Sequence, residues 1–208
     1  MSSSRVTQAT DGPGSVDLEG ARQAVKDLLR ALGAPLDTDP ELADTPSRVA
    51  TMLASELLDG YSVDLDALLQ DGVEATSQDL VLLRDIRFSF VCPHHMLPST
   101  GRAHVAYLPS ARVLGLGTLV KLVEALAHRL VLQESLGVAI AQSLCTRVGA
   151  RGAAVLLHAS HDCLSVRGET QRDASVITTA FSGTMATEGP DRALFFAALA
   201  ATQAPSTR

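Results

Sequence analysis

Two short clusters of cysteine and histidine carry the side chains best suited to chemistry in this sequence. The first is Cys-Pro-His-His at residues 92–95, and the second is His-Asp-Cys at residues 161–163. Cys92 and His95 are three residues apart where a predicted strand ends, so both side chains can hold one ion. Adding Cys163 gives two thiolates and one imidazole, a donor set typical of zinc. The two clusters therefore predict a zinc site with these three ligands.

The predicted site keeps one coordination position open. Structural zinc sites use four protein ligands, whereas catalytic sites use three and leave a position for water. His161 and Cys163 are two residues apart on a predicted strand, which directs both side chains to the same face of the sheet. His94 and His161 would then flank the metal as acid and base candidates.

Two simpler interpretations stay open on these residues alone. The cysteines could pack in the core and the histidines could make structural hydrogen bonds, and we interpret Cys145, on an apolar helix face, in this way. Three further histidines have no cysteine nearby and are expected to be structural or solvent-facing: His104, His128 and His158. A purely structural zinc site would need a fourth protein ligand. Asp162, which faces the other side of its predicted strand, is a poor candidate for it.

Length and composition indicate a single folded domain. The 208 residues are 46% hydrophobic and 19% charged, which is a globular composition and not a disordered one. The 17 basic and 23 acidic side chains give a net charge of −6, which argues against nucleic-acid binding. The longest apolar run, Ala193–Ala201, is about half the length of a membrane span, and no secretion signal is visible. Three cysteines, an odd number, do not indicate a disulfide framework, so we expect a cytoplasmic protein with free thiols.

The spacing of apolar residues predicts the elements that position the two clusters. Helical spacing begins at Leu18 and again near Thr45, which we expect to be the N-cap, with Pro46 at the first helical position. The remaining predicted elements are, in chain order, strands over 85–90 and 102–107, helices over 119–126 and 136–144, strands over 153–163 and 175–185, and a helix over 190–199. This order predicts an α+β fold with an antiparallel sheet and helices packed on one face.

Composition divides the chain into four segments. Residues 1–15 are rich in Ser, Thr, Gly and Pro and are expected to be a flexible tail, as is the short segment 202–208. Between the tails we expect an N-terminal helical region over 16–78 and the domain that holds the sheet over 79–201.

Further short motifs stand beside the two clusters along the chain. They are Thr-Pro-Ser-Arg-Val-Ala at 45–50, Leu-Pro at 97–98, Ala-Tyr-Leu-Pro at 106–109, Gly-Leu at 115–116, Gln-Glu at 133–134 and Arg-Gly at 167–168. With the Cys-His clusters, this series resembles the GTP cyclohydrolase I family over roughly residues 17–200. The resemblance implies a T-fold (tunnelling fold) subunit, with 79–201 as its catalytic domain, that acts on a small purine nucleotide or nucleoside. It also implies a ring-shaped homo-oligomer, a decamer, with active sites between neighbouring subunits.

In that family the reaction opens the imidazole ring of a guanine nucleotide. Carried over to this chain, the resemblance makes Cys92, His95 and Cys163 the ligands of Zn²⁺, and water activated by the metal attacks C8 of the purine. His94 and His161 would shuttle protons to the ring nitrogens and the departing formyl group. Release of formate, rearrangement of the ribose and ring closure then give 7,8-dihydroneopterin triphosphate.

The resemblance also assigns contacts to the substrate. Glu134 would accept hydrogen bonds from N1 and the exocyclic amine of guanine, with Gln133 beside it. Without the resemblance, these two residues are simply the exposed polar start of a helix. Arg48 and Arg167 match two of the arginines that hold the triphosphate. Lys121 stands where the family has an arginine, which keeps the charge but loses the bidentate fork.

Other positions at the phosphate end depart from the family. Gly117 and Thr118 replace a serine and a lysine, Thr51 stands where lysine is usual, and Pro93 replaces a common glutamate in the first cluster. A charge-assisted hydrogen bond contributes about 1.5–3 kcal/mol, so two lost lysines would weaken triphosphate binding by about 3–6 kcal/mol, on the order of 10²- to 10⁴-fold. The helix that starts near Gly117 still offers backbone N–H groups to an anion.

Three functions therefore compete. The first is conversion of GTP to dihydroneopterin triphosphate and formate. The second is a diverged hydrolase that acts on a purine with fewer or no phosphates and stops at a ring-opened or deformylated pyrimidine. An alternative explanation of the substitutions at the phosphate end is neutral drift that is compensated elsewhere in the chain. The third is a non-catalytic relative that binds a purine or pterin, against which the intact set of zinc ligands and histidines argues.

Overall fold

The computed structural model describes residues 16–168 and 170–201, so the predicted tails over 1–15 and 202–208 lie outside the described residues. Its centre is a four-stranded antiparallel sheet in the order β2-β3-β5-β6. The strands of this sheet are β2 (Val81–Val91), β3 (Pro98–Leu108), β5 (Gly152–His161) and β6 (Val176–Gly183). A small antiparallel pair consists of β1 (Val73–Glu74) and β4 (Arg112–Val113).

Seven α-helices occur in the described residues. They are α1 (Leu18–Ala31), α2 (Thr45–Met52), α3 (Leu65–Leu68), α4 (Leu116–Ala127), α5 (Gln133–Thr146), α6 (Asp162–Ser165) and α7 (Pro190–Ala200). Short helical turns of other pitch lie at Pro40–Leu42, Leu53–Leu57 and Asp59–Ser62. No helix in this part of the chain combines the length and the apolar character that crossing a membrane requires.

The main core lies between the sheet and the two helices α4 and α5. Ala103, Val105 and Tyr107 of β3 point into it, as the alternation along the strand predicted, and the phenol oxygen of Tyr107 accepts a hydrogen bond of 2.9 Å from the Leu114 N–H. The α+β class and the antiparallel sheet are confirmed. The prediction that the helices pack on one face of the sheet is wrong for α7, which packs on the opposite face.

The apolar character of the end of β3 explains the position of α7. Residues 105–108 are buried one after another, so this end of the strand is apolar on both faces. The second face, which includes Ala106 and Leu108, is covered by Phe195 of α7. A helix on that side removes apolar surface from water that α4 and α5 cannot reach.

The first long strand begins earlier than predicted because it contains a bulge. β2 starts at Val81, and its pairing with β3 shifts between Leu83 and Ile86. Asp85 adopts a φ of 58°, and its carbonyl accepts a hydrogen bond of 3.2 Å from the Arg102 guanidinium. One extra residue resets the alternation of side chains. Downstream of the bulge, the even-numbered residues face the core up to the first metal-ligand cluster.

The third long strand ends earlier than predicted. β5 stops at His161, and Asp162 and Cys163 begin the short helix α6. The carbonyl of Asp162 accepts a hydrogen bond of 3.0 Å from the Val166 N–H, and its carboxylate accepts one of 3.3 Å from the Ser165 hydroxyl. These local bonds turn the chain away from the sheet. The argument that His161 and Cys163 share a strand face was therefore wrong.

The N-terminal helices agree with the apolar spacing, with one correction at a helix end. Gly33 follows α1 with a φ of 81°, a left-handed conformation that suits glycine and ends the helix there. Helix α2 includes Thr45, so Asp44 and not Thr45 occupies the N-cap position. The Asp44 side chain makes no capping bond and lies 3.8 Å from the Arg48 guanidinium.

The close packing of the backbone at Gly101 allows a test of how β3 and β5 pack together. A Cβ at Gly101 would lie 2.7 Å from the Cβ of Ala159 and closer still to the carbonyl oxygen of His158. We expect Gly101→Ala to lower the free energy of unfolding by about 1–3 kcal/mol, as overpacking usually does. Gly117→Ala is the matched control, because no atom lies within 4 Å of its added Cβ. In a helix the control should raise stability by up to about 1 kcal/mol. Urea unfolding measures both, and equal effects would contradict the packing described.

Candidate active site

The structure brings the two Cys-His clusters together at one end of the sheet. The ligand atoms of Cys92, His95 and Cys163 all lie within 4.8 Å of one another, and the Cys92 Sγ is 3.8 Å from the His95 Nδ1. Cys92 is buried at the end of β2, His95 is exposed in the following loop, and Cys163 is half-buried in α6. The predicted three-ligand group therefore exists in the folded chain.

Backbone hydrogen bonds hold the first cluster in a tight loop. The Cys92 N–H donates to the Leu97 carbonyl and the Met96 N–H donates to the Cys92 carbonyl, each at 2.9 Å. Met96 takes a φ of 53°, a left-handed conformation that is unfavourable for a side chain of this size. The loop thus turns back into β3 within a few residues. This turn presents the Cys92 thiol and the His95 ring on the same side.

Strand register delivers the second cluster to the first. Val91 at the end of β2 pairs with Pro98 at the start of β3, and the next residue of β3, Ser99, pairs with His161 at the end of β5. The β2–β3 loop and the turn into α6 therefore leave the sheet at the same end. Cys163 follows two residues later and faces Cys92 across this end.

The electrostatics of the group favour a bound cation. Burial raises the pKa of the Cys163 thiol and the neighbouring Cys92 raises it further, while Arg167 lowers it. Two adjacent thiols do not ionise together easily unless a metal ion supplies positive charge. Two sulfurs and one imidazole nitrogen suit a borderline-soft ion such as zinc. The residues present thus fit a metal ion.

The group has three protein ligands and not four. Over residues 16–168 and 170–201, no carboxylate or further imidazole joins the three ligand atoms. The Asp162 side chain is engaged by the Ser165 hydroxyl within α6. The described residues therefore do not form a closed structural site with four protein ligands.

The two acid–base candidates differ in their surroundings. His94 is exposed, with its ring centre 6.1 Å from that of His95. His161 is half-buried and packs against the edge of Phe90, with ring centres 5.5 Å apart and planes at 82°. The His161 Nδ1 is buried and has no hydrogen-bond partner within residues 16–168 and 170–201. One histidine is therefore exposed to solvent, whereas the other packs against the core.

Glu134 lies at the same end of the sheet as the metal ligands. The segment before α5 forms a bridge between Leu130 and Val91, and the Val131 N–H donates to the Val91 carbonyl at 3.2 Å. Helix α5 therefore begins beside the residue that precedes Cys92. Glu134 is exposed in the first turn of this helix, where a carboxylate is favoured by the helix dipole.

Gln133 faces inward. Its side chain is buried, and Nε2 lies 3.1 Å from the Leu157 carbonyl, 3.0 Å from the Val176 carbonyl and 3.1 Å from the Thr178 hydroxyl. These contacts tie the start of α5 to β5 and β6. The carboxamide therefore braces the helix, and its contact with a substrate stays a prediction.

The residues predicted for the phosphate end lie on separate elements. Arg167 is exposed just after α6 and close enough to act on Cys163 electrostatically. Arg48 is exposed on α2. Lys121 is exposed on α4, where it borders a cavity of about 190 Å³ together with Glu124 and His128.

The first turn of α4 is open to solvent. Gly117 is exposed and has no heavy atom within 4 Å of a Cβ built on it, and Thr118 is half-buried. The N-cap position, Gly115, offers no side chain to bond the first N–H groups. The first turn is therefore accessible at its N-terminus.

Histidines and thiols outside the clusters have local partners, as expected. The His128 Nδ1 lies 2.7 Å from the Asp59 carboxylate and the His158 Nε2 lies 2.8 Å from the Ser175 hydroxyl. Cys145 packs against the main core. Sequence reasoning missed Ser99, a buried serine beside His161, because only the strand register reveals that the two are neighbours.

Comparison with known proteins relates the chain to one family. The family model "GTP cyclohydrolase I" matches residues 21–200. A protein from Allorhizobium ampelinum named GTP cyclohydrolase 1 is 42% identical over 182 residues, 85% of this chain and 88% of that protein. Proteins of the same name from Rhodopirellula baltica and Campylobacter lari are 39% and 38% identical, over 86% of this chain and 77% and 93% of their own lengths. The solved apo structure of the archaeosine synthase QueF-Like covers 55% of this chain at 23% identity, with a TM-score of 0.44.

Replacement of one sulfur tests the metal group. Cys163→Ser should lower the affinity for Zn²⁺ by more than about 100-fold, since changes to groups that only support a ligand already cost 10–100-fold. Cys145→Ser is the matched control, because it removes a thiol that packs against the core. Zinc per chain, measured by mass spectrometry after competition with a chelator, should fall only in Cys163→Ser. Equal zinc in the two variants would contradict the assignment.

Proposed function

The chain belongs to the GTP cyclohydrolase I family, and on this premise we propose that it hydrolyses GTP at C8 of the purine. The products are formate and 7,8-dihydroneopterin triphosphate, and the net reaction consumes one water. The observation that carries the proposal is the meeting of Cys92, His95 and Cys163 beside His161 at one end of the sheet. A group with three protein ligands is typical of a catalytic metal site.

The metal in this proposal is Zn²⁺, held by Cys92, His95 and Cys163. When bound, zinc supplies Lewis-acid activation of a water molecule near neutral pH. The buried position of Cys92 and the short loop that follows it support a rigid ligand set. Rigid ligands matter because the reacting groups must stay within a few tenths of an ångström of their working positions.

Two histidines are proposed to move the protons. His161, fixed against Phe90, accepts a proton from the attacking water and returns it to a nitrogen of the opening ring. His94, which is exposed in the loop, transfers protons to the departing formyl group. The contrast between a packed and an exposed imidazole supports this division, since the first step needs exact orientation and the second involves a group that leaves.

Guanine recognition is proposed for Glu134. A carboxylate at this position accepts two parallel hydrogen bonds, from N1 and from the exocyclic amine, which adenine cannot donate. Its position in the first turn of α5, next to the strand that leads to Cys92, supports this role. Selectivity for guanine follows because bound adenine would leave this acceptor without its two donors.

The triphosphate is proposed to contact residues from more than one subunit. Arg167 lies beside the metal group, whereas Arg48 lies on α2, and Lys121, Gly117 and Thr118 lie on α4. β2 and β6 are the edge strands of the main sheet, and edge strands readily pair with further chains. A ring-shaped homo-oligomer, a decamer in the cytoplasm, with sites between subunits is therefore part of the proposal.

A purine with fewer phosphates is the second candidate substrate. The observation that favours it is the chemistry of the first turn of α4, where Gly117 and Thr118 provide no positive charge. Within this version the product is a ring-opened or deformylated pyrimidine. A panel of GTP, GMP, guanosine and guanine separates the two candidates by rate of formate release.

The zinc-loaded protein should release formate from GTP and give a pterin that fluoresces after oxidation. His161→Ala should lower formate release by at least about 100-fold, the usual contribution of a general acid or base. Zinc per chain should stay unchanged, because His161 is not in the ligand group. Full activity of His161→Ala would remove this residue from the mechanism. No product from any member of the panel would favour a non-catalytic purine or pterin binder.

Restoring a positive charge tests the phosphate end. Thr118→Lys should lower the KM for GTP by about 10- to 100-fold, the equivalent of one charge-assisted hydrogen bond. The KM for guanosine should not change, because guanosine carries no phosphate. Steady-state kinetics with both substrates give the comparison. Equal changes in the two KM values would show that residue 118 does not contact phosphate.

A further inference from the structure

Three buried polar atoms lack hydrogen-bond partners among the described residues, and two of them belong to side chains beside the metal group. They are the Ser99 Oγ, the Gln133 Oε1 and the His161 Nδ1. Ser99 is 1% exposed and Gln133 is 2% exposed. Leaving a buried donor or acceptor unpaired is costly, and nearly all such groups in folded proteins are paired directly or through ordered water. These three atoms therefore need partners.

Two of the atoms belong to neighbouring side chains. Ser99 of β3 and His161 of β5 are register partners, so their side chains project from the same face of the sheet about 5 Å apart at Cβ. Phe90 is the register partner of Ser99 on its other side, and its ring packs against the His161 ring. Phe90 and Ser99 thus enclose the inner side of the imidazole.

The third atom has a fixed direction. Two of the partners of the Gln133 Nε2 are backbone carbonyls, at Leu157 and Val176, and carbonyls can only accept. This orientation of the amide leaves the Gln133 Oε1 on the other side, as an acceptor that needs a donor. The approach to α5 begins at the edge of β2, and Gln133 reaches β5 and β6. The amide is therefore held between β5 and β6 near residues 157–159, two to four residues along β5 from His161, and its Oε1 needs a separate partner.

One arrangement satisfies both the Ser99 and the His161 atoms. A hydroxyl can both donate and accept, and a neutral imidazole nitrogen does one or the other. We propose that Ser99 is a positioning residue whose hydroxyl oxygen accepts a hydrogen bond from the His161 Nδ1–H. This link is direct or passes through one ordered water.

The consequence is a single tautomer of His161. With the proton held on Nδ1, the Nε2 lone pair faces outward and can accept a proton from water or substrate. This role rests on the proposed function, in which His161 moves a proton. The tautomer itself is independent of activity and can be measured without substrate.

Magic-angle-spinning ¹⁵N spectra of histidine-labelled, zinc-loaded protein report the tautomer. The signals of His161 are those lost in His161→Gln. We expect a protonated Nδ1 in the wild-type chain and in Ser99→Thr, which keeps the hydroxyl. Ser99→Ala should shift the signals toward a mixture of tautomers or toward a protonated Nε2. A wild-type ring protonated on Nε2, or a spectrum unchanged in Ser99→Ala, overturns the proposal.

Kinetics provide the second measurement. Ser99→Ala should lower kcat for formate release about tenfold with KM and zinc content unchanged, the lower end of the effect of losing a supporting hydrogen bond. Ser99→Thr should restore most of the rate. Ser160→Ala is the matched control, since it removes a hydroxyl next to His161 on the exposed, opposite face of β5 and should behave as the wild type.

The two measurements separate this proposal from the proposed function. If the wild-type chain makes no product from any purine, the proposed function fails, and the ¹⁵N spectra still decide the hydrogen bond. If the wild-type chain is active but Ser99→Ala keeps both its tautomer and its kcat, Ser99 has no positioning role and the function stands. Wild-type kcat in Ser99→Ala with an altered tautomer also overturns the positioning role.

Discussion

The register of β3 against β2 and β5 is the constraint on which the site depends. Ser99 is held between Phe90 on one side and His161 on the other, and the ligand loops begin one or two residues beyond these pairs. Because side chains alternate between faces, a slip of one residue would turn His161 away from the core. The thiols of Cys92 and Cys163 would then no longer face each other. The backbone hydrogen bonds between the strands therefore fix the positions of the reactive side chains, although they involve none of the reactive atoms.

The site occupies the least regular part of the fold. Met96 is held in a left-handed conformation, two thiols lie close together, and buried polar atoms stand at an otherwise apolar end of the sheet. Each of these features opposes folding in isolation. They persist because the main core beneath α4 and α5 is continuous and supports this end of the sheet through Phe90. A bound cation would remove the repulsion between ionised thiols, so metal binding and local stability are coupled.

Much of the site could be predicted from the sequence, because metal-ligand chemistry belongs to residue types. Cys92, His95 and Cys163 were recognisable by kind and spacing, and the structure brings them together. What could not be predicted was where hydrogen-bond ladders end. Alternation of apolar residues continues to Cys163, yet local bonds in α6 take over after His161. The inward position of Gln133 was also hidden, since its partners lie on two strands far along the sequence.

The two ends of the proposed site are built in different ways. The three metal-ligating residues come together within one chain, because adjacent strands and one helix start converge there. Arg48 lies on α2, 3.8 Å from Asp44, and Lys121 lies on α4, where it borders a cavity together with His128. A second subunit is a physical means of placing a triphosphate between such elements. In the proposed ring, substitutions at the phosphate end would then alter the affinity for the triphosphate and leave the cleavage of the purine ring intact. The reason is that the strand register, which aligns the metal ligands, does not involve α2 or α4.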